Sequence, residues 1–127
     1  MWVLHLGYAW LALGFLLLAL NGVATLLPQT AALHAMTAGA IGTMTLAVMT
    51  RASLGHTGRT LAAGPGTTTI YVLVTIAAAL RVAAPLAAEH YLAVLWLAGA
   101  AWSGAFGLFV LLYARPLMLP REAAGPV

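Results

Sequence analysis

Long apolar stretches alternate with short polar breaks along the chain. The stretches cover about residues 2–27, 31–53, 67–84 and 91–113, and the breaks are rich in Gly, Pro, Arg and His. Each stretch is close to the roughly 20 residues that an α-helix needs to cross a bilayer core of about 30 Å. The pattern predicts an all-α fold, an integral membrane four-helix bundle that forms a single transmembrane domain over residues 1–127. Residues 114–127 are predicted to be a short, Pro-rich, non-helical tail.

The composition favours a membrane protein and restricts its chemistry. Hydrophobic residues make up 64% of the chain and charged residues 6%, which is far outside the range of soluble domains. The chain has no cysteine, which excludes disulfides, thiolate metal sites and cysteine nucleophiles. The only carboxylate side chains are Glu89 and Glu122, so no acid–base pair is available within the membrane. We therefore predict no catalytic residues and no enzyme activity for this chain alone.

The distribution of arginine predicts the orientation in the membrane. The net charge of +3 comes from arginine, and the chain has no lysine. Single arginines at helix ends do not form a nucleic-acid-binding patch. Four of the five arginines lie on one predicted side of the membrane, namely Arg51, Arg59, Arg115 and Arg121. The positive-inside rule then predicts a multi-pass membrane protein with both termini in the cytoplasm. Arg81, near the far end of the third helix, is interpreted as a side chain that reaches the interface.

The second predicted helix carries a histidine on one well-defined face. At about 100° per residue, the residues that share this face are His34, Ala38, Ile41, Thr45, Val48 and Ala52. Thr30 is the predicted N-cap. Ala35, Gly39 and Thr43 form a small-xxx-small pattern, which lets another helix or a flat cofactor approach the backbone closely. Packing between helices alone explains such a pattern in most membrane proteins.

The segment after this helix, SLGHTGR, gathers polar groups in a glycine-rich loop. Arg51, Thr57 and Arg59 can bind an anionic group such as a haem propionate, and His56 lies among them. A solvated loop whose positive charges anchor it in the cytoplasm explains the same residues. Both interpretations stay open from the sequence.

The four histidines fall on two predicted sides of the membrane. His5 and His56 lie on the cytoplasmic side, and His34 and His90 lie toward the opposite side. A bilayer core of about 30 Å separates the two sides, so only histidines on the same side can bind one metal ion. Neutral imidazole is a good ligand for iron and for copper. The pairs that can share a metal are therefore His5 with His56 and His34 with His90.

Two motifs resemble a known family. The segments HLGYAWL (residues 5–11) and HAMTAGAIGTMTLAVMTRASLGHTGR (residues 34–59) are similar to the C-terminal helices of the NnrS family, and the likeness extends through RVAAPL (residues 81–86). The resemblance implies a polytopic bacterial inner-membrane protein that contains haem and copper and is linked to the nitric oxide response and to denitrification. It also implies that the family's marked positions are His5, His34, Arg51, His56 and Arg59, with His5, His34 and His56 as metal ligands.

The usual members of that family have many more membrane helices than the four predicted here. We therefore expect the chain to correspond to half of a split protein, to a subunit of a larger complex, or to a reduced relative without cofactors. The main expectation is that it contributes to a b-type haem or copper site in the nitric oxide response or in respiratory electron transfer. The alternative is a cofactor-free structural or accessory subunit that packs against a larger membrane enzyme complex. Expected partners are the lipid bilayer and either other membrane subunits or further copies of the chain.

Overall fold

The computed structural model describes residues 2–24, 27–58 and 61–119. Within these ranges every regular element is helical, which confirms the all-α prediction. The long helices are α1 (Trp2–Val23), α2 (Gln29–His56), α3 (Pro65–Ala83) and α4 (Tyr91–Met118). A π-helical segment, Ala35–Ile41, lies within α2.

Within the described residues, three helical segments are long and apolar enough to cross a membrane: Trp2–Val23, Gln29–His56 and Pro65–Met118. The third segment contains both α3 and α4. A 3-10 helix, Ala84–His90, joins them, and Ala88 within it has a non-helical backbone with φ 42° and ψ −108°. Since α3 and α4 pack against each other, the chain reverses its direction at this joint.

Several predicted helix boundaries are wrong. α1 ends at Val23 rather than at residue 27. α2 begins at Gln29, and its N-cap residue is Pro28 rather than Thr30. At its other end α2 continues to His56 and stops before Gly58, whose φ of 75° is easily adopted only by glycine.

The third and fourth helices are also longer than predicted. α3 begins at Pro65, where proline is tolerated because the first helical N–H has no partner within the helix. α4 runs to Met118 with Pro116 inside its last turn, so the predicted non-helical tail does not begin at Arg115. A proline there removes one backbone hydrogen bond at the end of the helix, where the loss is small. Residues 120–127 of the predicted tail lie outside the described residues.

Small residues allow the helices to approach each other closely, as the sequence pattern of α2 predicted. A Cβ atom added to Gly39 would lie 2.6 Å from the Trp10 ring of α1. A Cβ added to Gly42 would lie 2.6 Å from the Trp102 ring of α4. Contacts this short leave no room for a side chain, so α2 is held between α1 and α4 through its glycines.

The apolar core lies between the helices, and many large apolar side chains face outward. Leu46, Ile70 and Val74 are fully buried at the centre. Trp96 and Leu111, by contrast, are 79% and 78% exposed. Outward-facing apolar side chains of this size suit a lipid environment, which agrees with the predicted membrane class.

Aromatic contacts show which helix ends lie together. The rings of Trp2 and Tyr71 are 5.8 Å apart, and the hydroxyls of Thr67 and Tyr113 are hydrogen-bonded at 2.7 Å. The start of α1, the start of α3 and the end of α4 therefore meet at one end of the molecule. The hydroxyl of Thr50 in α2 is also hydrogen-bonded to that of Tyr71, at 2.5 Å. We call this end the Arg51 end and the opposite one the His34 end.

Candidate functional site

The candidate site is a groove of about 760 Å³ between α2, α3 and α4. On α2 its lining extends from His34 to Thr45, and on α4 it extends from Leu95 to Phe106. α3 contributes Ala77 and Arg81. The volume is within the range of about 300–1,000 Å³ that is usual for small-molecule and cofactor sites.

One face of α2 forms a wall of the groove. His34, Ala38, Ile41 and Thr45 all line it, and these residues were predicted to share a face. The π-helical segment begins directly after His34, and π-helical turns are frequent at functional sites. On the opposite side of the same segment, Gly39 packs under Trp10 of α1. α1 therefore supports the wall from behind.

The opposite wall belongs to α4 and is aromatic over much of its length. Trp96, Trp102 and Phe106 line it, and the Trp102 and Phe106 rings have centroids 5.0 Å apart. Gly99 also lines this wall, and a Cβ added there would meet no atom within 4 Å. The groove is thus open beside Gly99, while Trp102 is fixed against Gly42.

The ionisable groups of the groove lie at the His34 end. His34 and Arg81 are both half-buried and line the same groove. The hydroxyl of Thr37 donates to the Leu33 carbonyl oxygen at 2.7 Å and is therefore already paired. The imidazole of His34 and the guanidinium of Arg81 are consequently the side chains best placed to bind a ligand.

The predicted residues at the other end form a separate arrangement. Arg51 and His56 line a pocket of about 460 Å³ at the Arg51 end, and both side chains are exposed. His56 is the last residue of α2 rather than part of a loop. Arg59 lies outside the described residues. The structure therefore brings Arg51 and His56 together and separates them from the His34 groove.

The remaining histidines do not line the groove. His5 is exposed on α1, and His90 is exposed at the end of the 3-10 helix that precedes α4. The sequence paired His34 with His90, but the second ionisable side chain that lines the groove is that of Arg81. Arg81 was interpreted as a side chain that only reaches the interface. The sequence carried a signal for this placement, because Arg81 and His34 were predicted to lie on the same side of the membrane.

The donor set of the groove fits haem better than copper. Among residues 2–24, 27–58 and 61–119, no three His, Cys, Asp or Glu side chains lie close enough together to hold a metal ion. One histidine can hold a haem iron, because most of the other ligands of the iron come from the macrocycle and not from the protein. A largely apolar groove of about 760 Å³ with one imidazole therefore fits the donor needs of a haem. A copper ion needs further protein ligands that this group of described residues does not provide.

Comparison with known proteins gives one match. The family model described as NnrS protein matches residues 1–121, which is nearly the whole chain. Neither the curated proteins nor the solved structures include a significant match.

Proposed function

The chain belongs to the NnrS family, and from this premise we propose that it is a haem-binding membrane protein in which His34 ligates the iron. The family is generally linked to the nitric oxide response and is associated with haem and copper. The observation that carries the proposal is the groove itself, where one half-buried imidazole faces a long apolar space.

In this proposal the walls and the polar end of the groove have different roles. The imidazole of His34 donates a nitrogen ligand, and the aromatic side chains of α4 cover the apolar macrocycle. Haem bound there would supply an iron centre for nitric oxide binding or for respiratory electron transfer. The chain's own residues hold the macrocycle between α2 and α4.

We further propose that His5, Arg51, His56 and Arg59 contribute to a second site at the Arg51 end. Arg51 and His56 share a pocket there, and arginine pairs well with propionate or another carboxylate. Copper at this end requires ligands from another subunit or from a second copy of the chain, since no metal-binding trio occurs in the described part of the chain.

Absorption spectroscopy tests the main proposal. We expect the purified protein to show a Soret band and a reduced-minus-oxidised spectrum typical of b-type haem. Metal analysis should give iron in proportion to the protein. A monodisperse preparation without a Soret band after haem has been supplied during expression would contradict haem binding by this chain.

A cofactor-free accessory subunit is the second candidate function. It is favoured by the extended exposed apolar surface, which includes Trp96 and Leu111. Purification in mild detergent separates the two candidates. A stable membrane partner together with a haem-free groove supports the accessory role, whereas haem in the isolated chain supports the first proposal.

We propose that α1 to α4 each cross the bacterial inner membrane, with both termini in the cytoplasm. The arginine distribution and the reversal at Ala88 support this topology. Because the chain has no cysteine, single cysteines can report it cleanly. We expect a membrane-impermeant maleimide to label Glu89→Cys in intact spheroplasts and Gly64→Cys only after permeabilisation. The reverse labelling pattern would contradict this orientation.

A further inference from the structure

The groove has one formally charged side chain along its lining. Arg81 supplies a positive charge, His34 supplies an imidazole, and no Asp or Glu belongs to the described lining. A cation without a carboxylate in the same space favours an anionic group on the occupant. Guanidinium and carboxylate pair in a bidentate geometry with two parallel hydrogen bonds.

The position of Arg81 gives the groove a polar end and an apolar body. Arg81 lies in the last turn of α3, which ends at Ala83. From His34 to Thr45 the groove follows α2 for about 16 Å at the usual rise of 1.5 Å per residue. The walls beyond the polar end are mainly apolar or aromatic. An occupant that matches this profile has an apolar body and a carboxylate at one end.

We propose that Arg81 binds a carboxylate of the ligand in this groove. Where the ligand is haem, this inference rests on the proposed function, and the carboxylate is a haem propionate. Sequence reasoning assigned propionate binding to Arg51 and Arg59. Arg51 lies at the opposite end of α2 from His34, about 25 Å away at 1.5 Å per residue. Its guanidinium therefore does not reach a carboxylate that lies beside His34.

A membrane fatty acid presents the same chemistry, an apolar body with one carboxylate. Each source of the carboxylate is therefore tested with its own pair of probes, one with the free carboxylate and one in which it is esterified. The pairs are haem with its dimethyl ester and the fluorescent cis-parinaric acid with its methyl ester.

The first experiment titrates haem and its dimethyl ester into the purified apoprotein. We expect the wild type to bind free haem about 10- to 100-fold more tightly than the dimethyl ester. A free carboxylate forms charge-assisted hydrogen bonds with Arg81, and an ester does not. Arg81→Gln is expected to remove this preference, while Arg81→Lys retains part of it. Arg115→Gln, which removes an exposed arginine at the Arg51 end, serves as the matched control and is expected to retain the preference. Equal binding of the two probes by the wild type, or an unchanged preference in Arg81→Gln, would overturn the proposal for haem.

The second experiment keeps the inference distinct from the proposed function. If the wild type binds no haem, the proposed function fails, and cis-parinaric acid then tests Arg81 by itself. Preference for the free acid over its methyl ester, lost in Arg81→Gln and retained in Arg115→Gln, supports a fatty-acid carboxylate as the ligand of Arg81. The inference is overturned if the wild type shows no preference for the free acid in both probe pairs, or if Arg81→Gln keeps every preference that the wild type shows. Size-exclusion profiles and thermal unfolding of each variant show whether it is folded.

Discussion

Replacement of His34 by alanine is expected to lower the affinity of the protein for haem by at least about 100-fold, because loss of only an outer-shell partner of a metal ligand typically costs 10- to 100-fold. His34 is the imidazole of the groove. No other histidine of the described residues lines the groove. The Soret band should therefore be lost from purified His34→Ala, while the helical circular dichroism spectrum is retained.

His90→Ala is the matched control for this variant. His90 belongs to the same membrane side in the predicted topology, but it is exposed in the joint before α4 and does not line the groove. We expect this variant to bind haem with wild-type affinity. Equal losses in His34→Ala and His90→Ala would place the ligand set at the joint instead of in the groove. Full binding by His34→Ala would contradict its role as a ligand.

Filling the groove from α4 is expected to have a comparable effect without removing any ligand. In Gly99→Phe, a benzyl group enters the space beside Gly99, where a Cβ meets no atom within 4 Å. The fold should tolerate the new side chain for this reason, but it should compete with the macrocycle for the same space. We expect haem affinity to fall by about 100-fold or more, since close packing does not permit two groups to occupy one volume.

Gly107→Phe provides the control for Gly99→Phe. Gly107 lies on the same helix, is exposed, and also has open space around an added Cβ, but it does not line the groove. Both variants therefore add the same apolar group to α4. Affinity is measured by haem titration of the apoproteins. If both variants bind haem like the wild type, the groove is not the haem site.

The sequence predicted the features that depend on local patterns. The apolar stretches predicted the helices, and the period of α2 predicted the face that carries His34, Ala38 and Thr45. These predictions succeeded because helix periodicity alone determines which side chains share a face. The close approach at Gly39 was predicted for the same reason, because the absence of a side chain can be read from the sequence.

The features that depend on contacts between helices were not predictable in the same way. The placement of His34 and Arg81 in one groove arises from the packing of α2 against α3, and no spacing within one helix encodes it. The continuation of α4 through Pro116 depends on where the last hydrogen bonds of the helix fall. The aromatic wall at Trp102 required knowledge of which helix faces Gly42.

An experimental structure of the purified, haem-supplied protein tests the central claim most directly. The account predicts a macrocycle in the groove between α2, α3 and α4, with its iron about 2 Å from an imidazole nitrogen of His34, the usual length of a metal–imidazole bond. A haem bound elsewhere, or a groove that contains only lipid while His34 makes packing contacts, would contradict it.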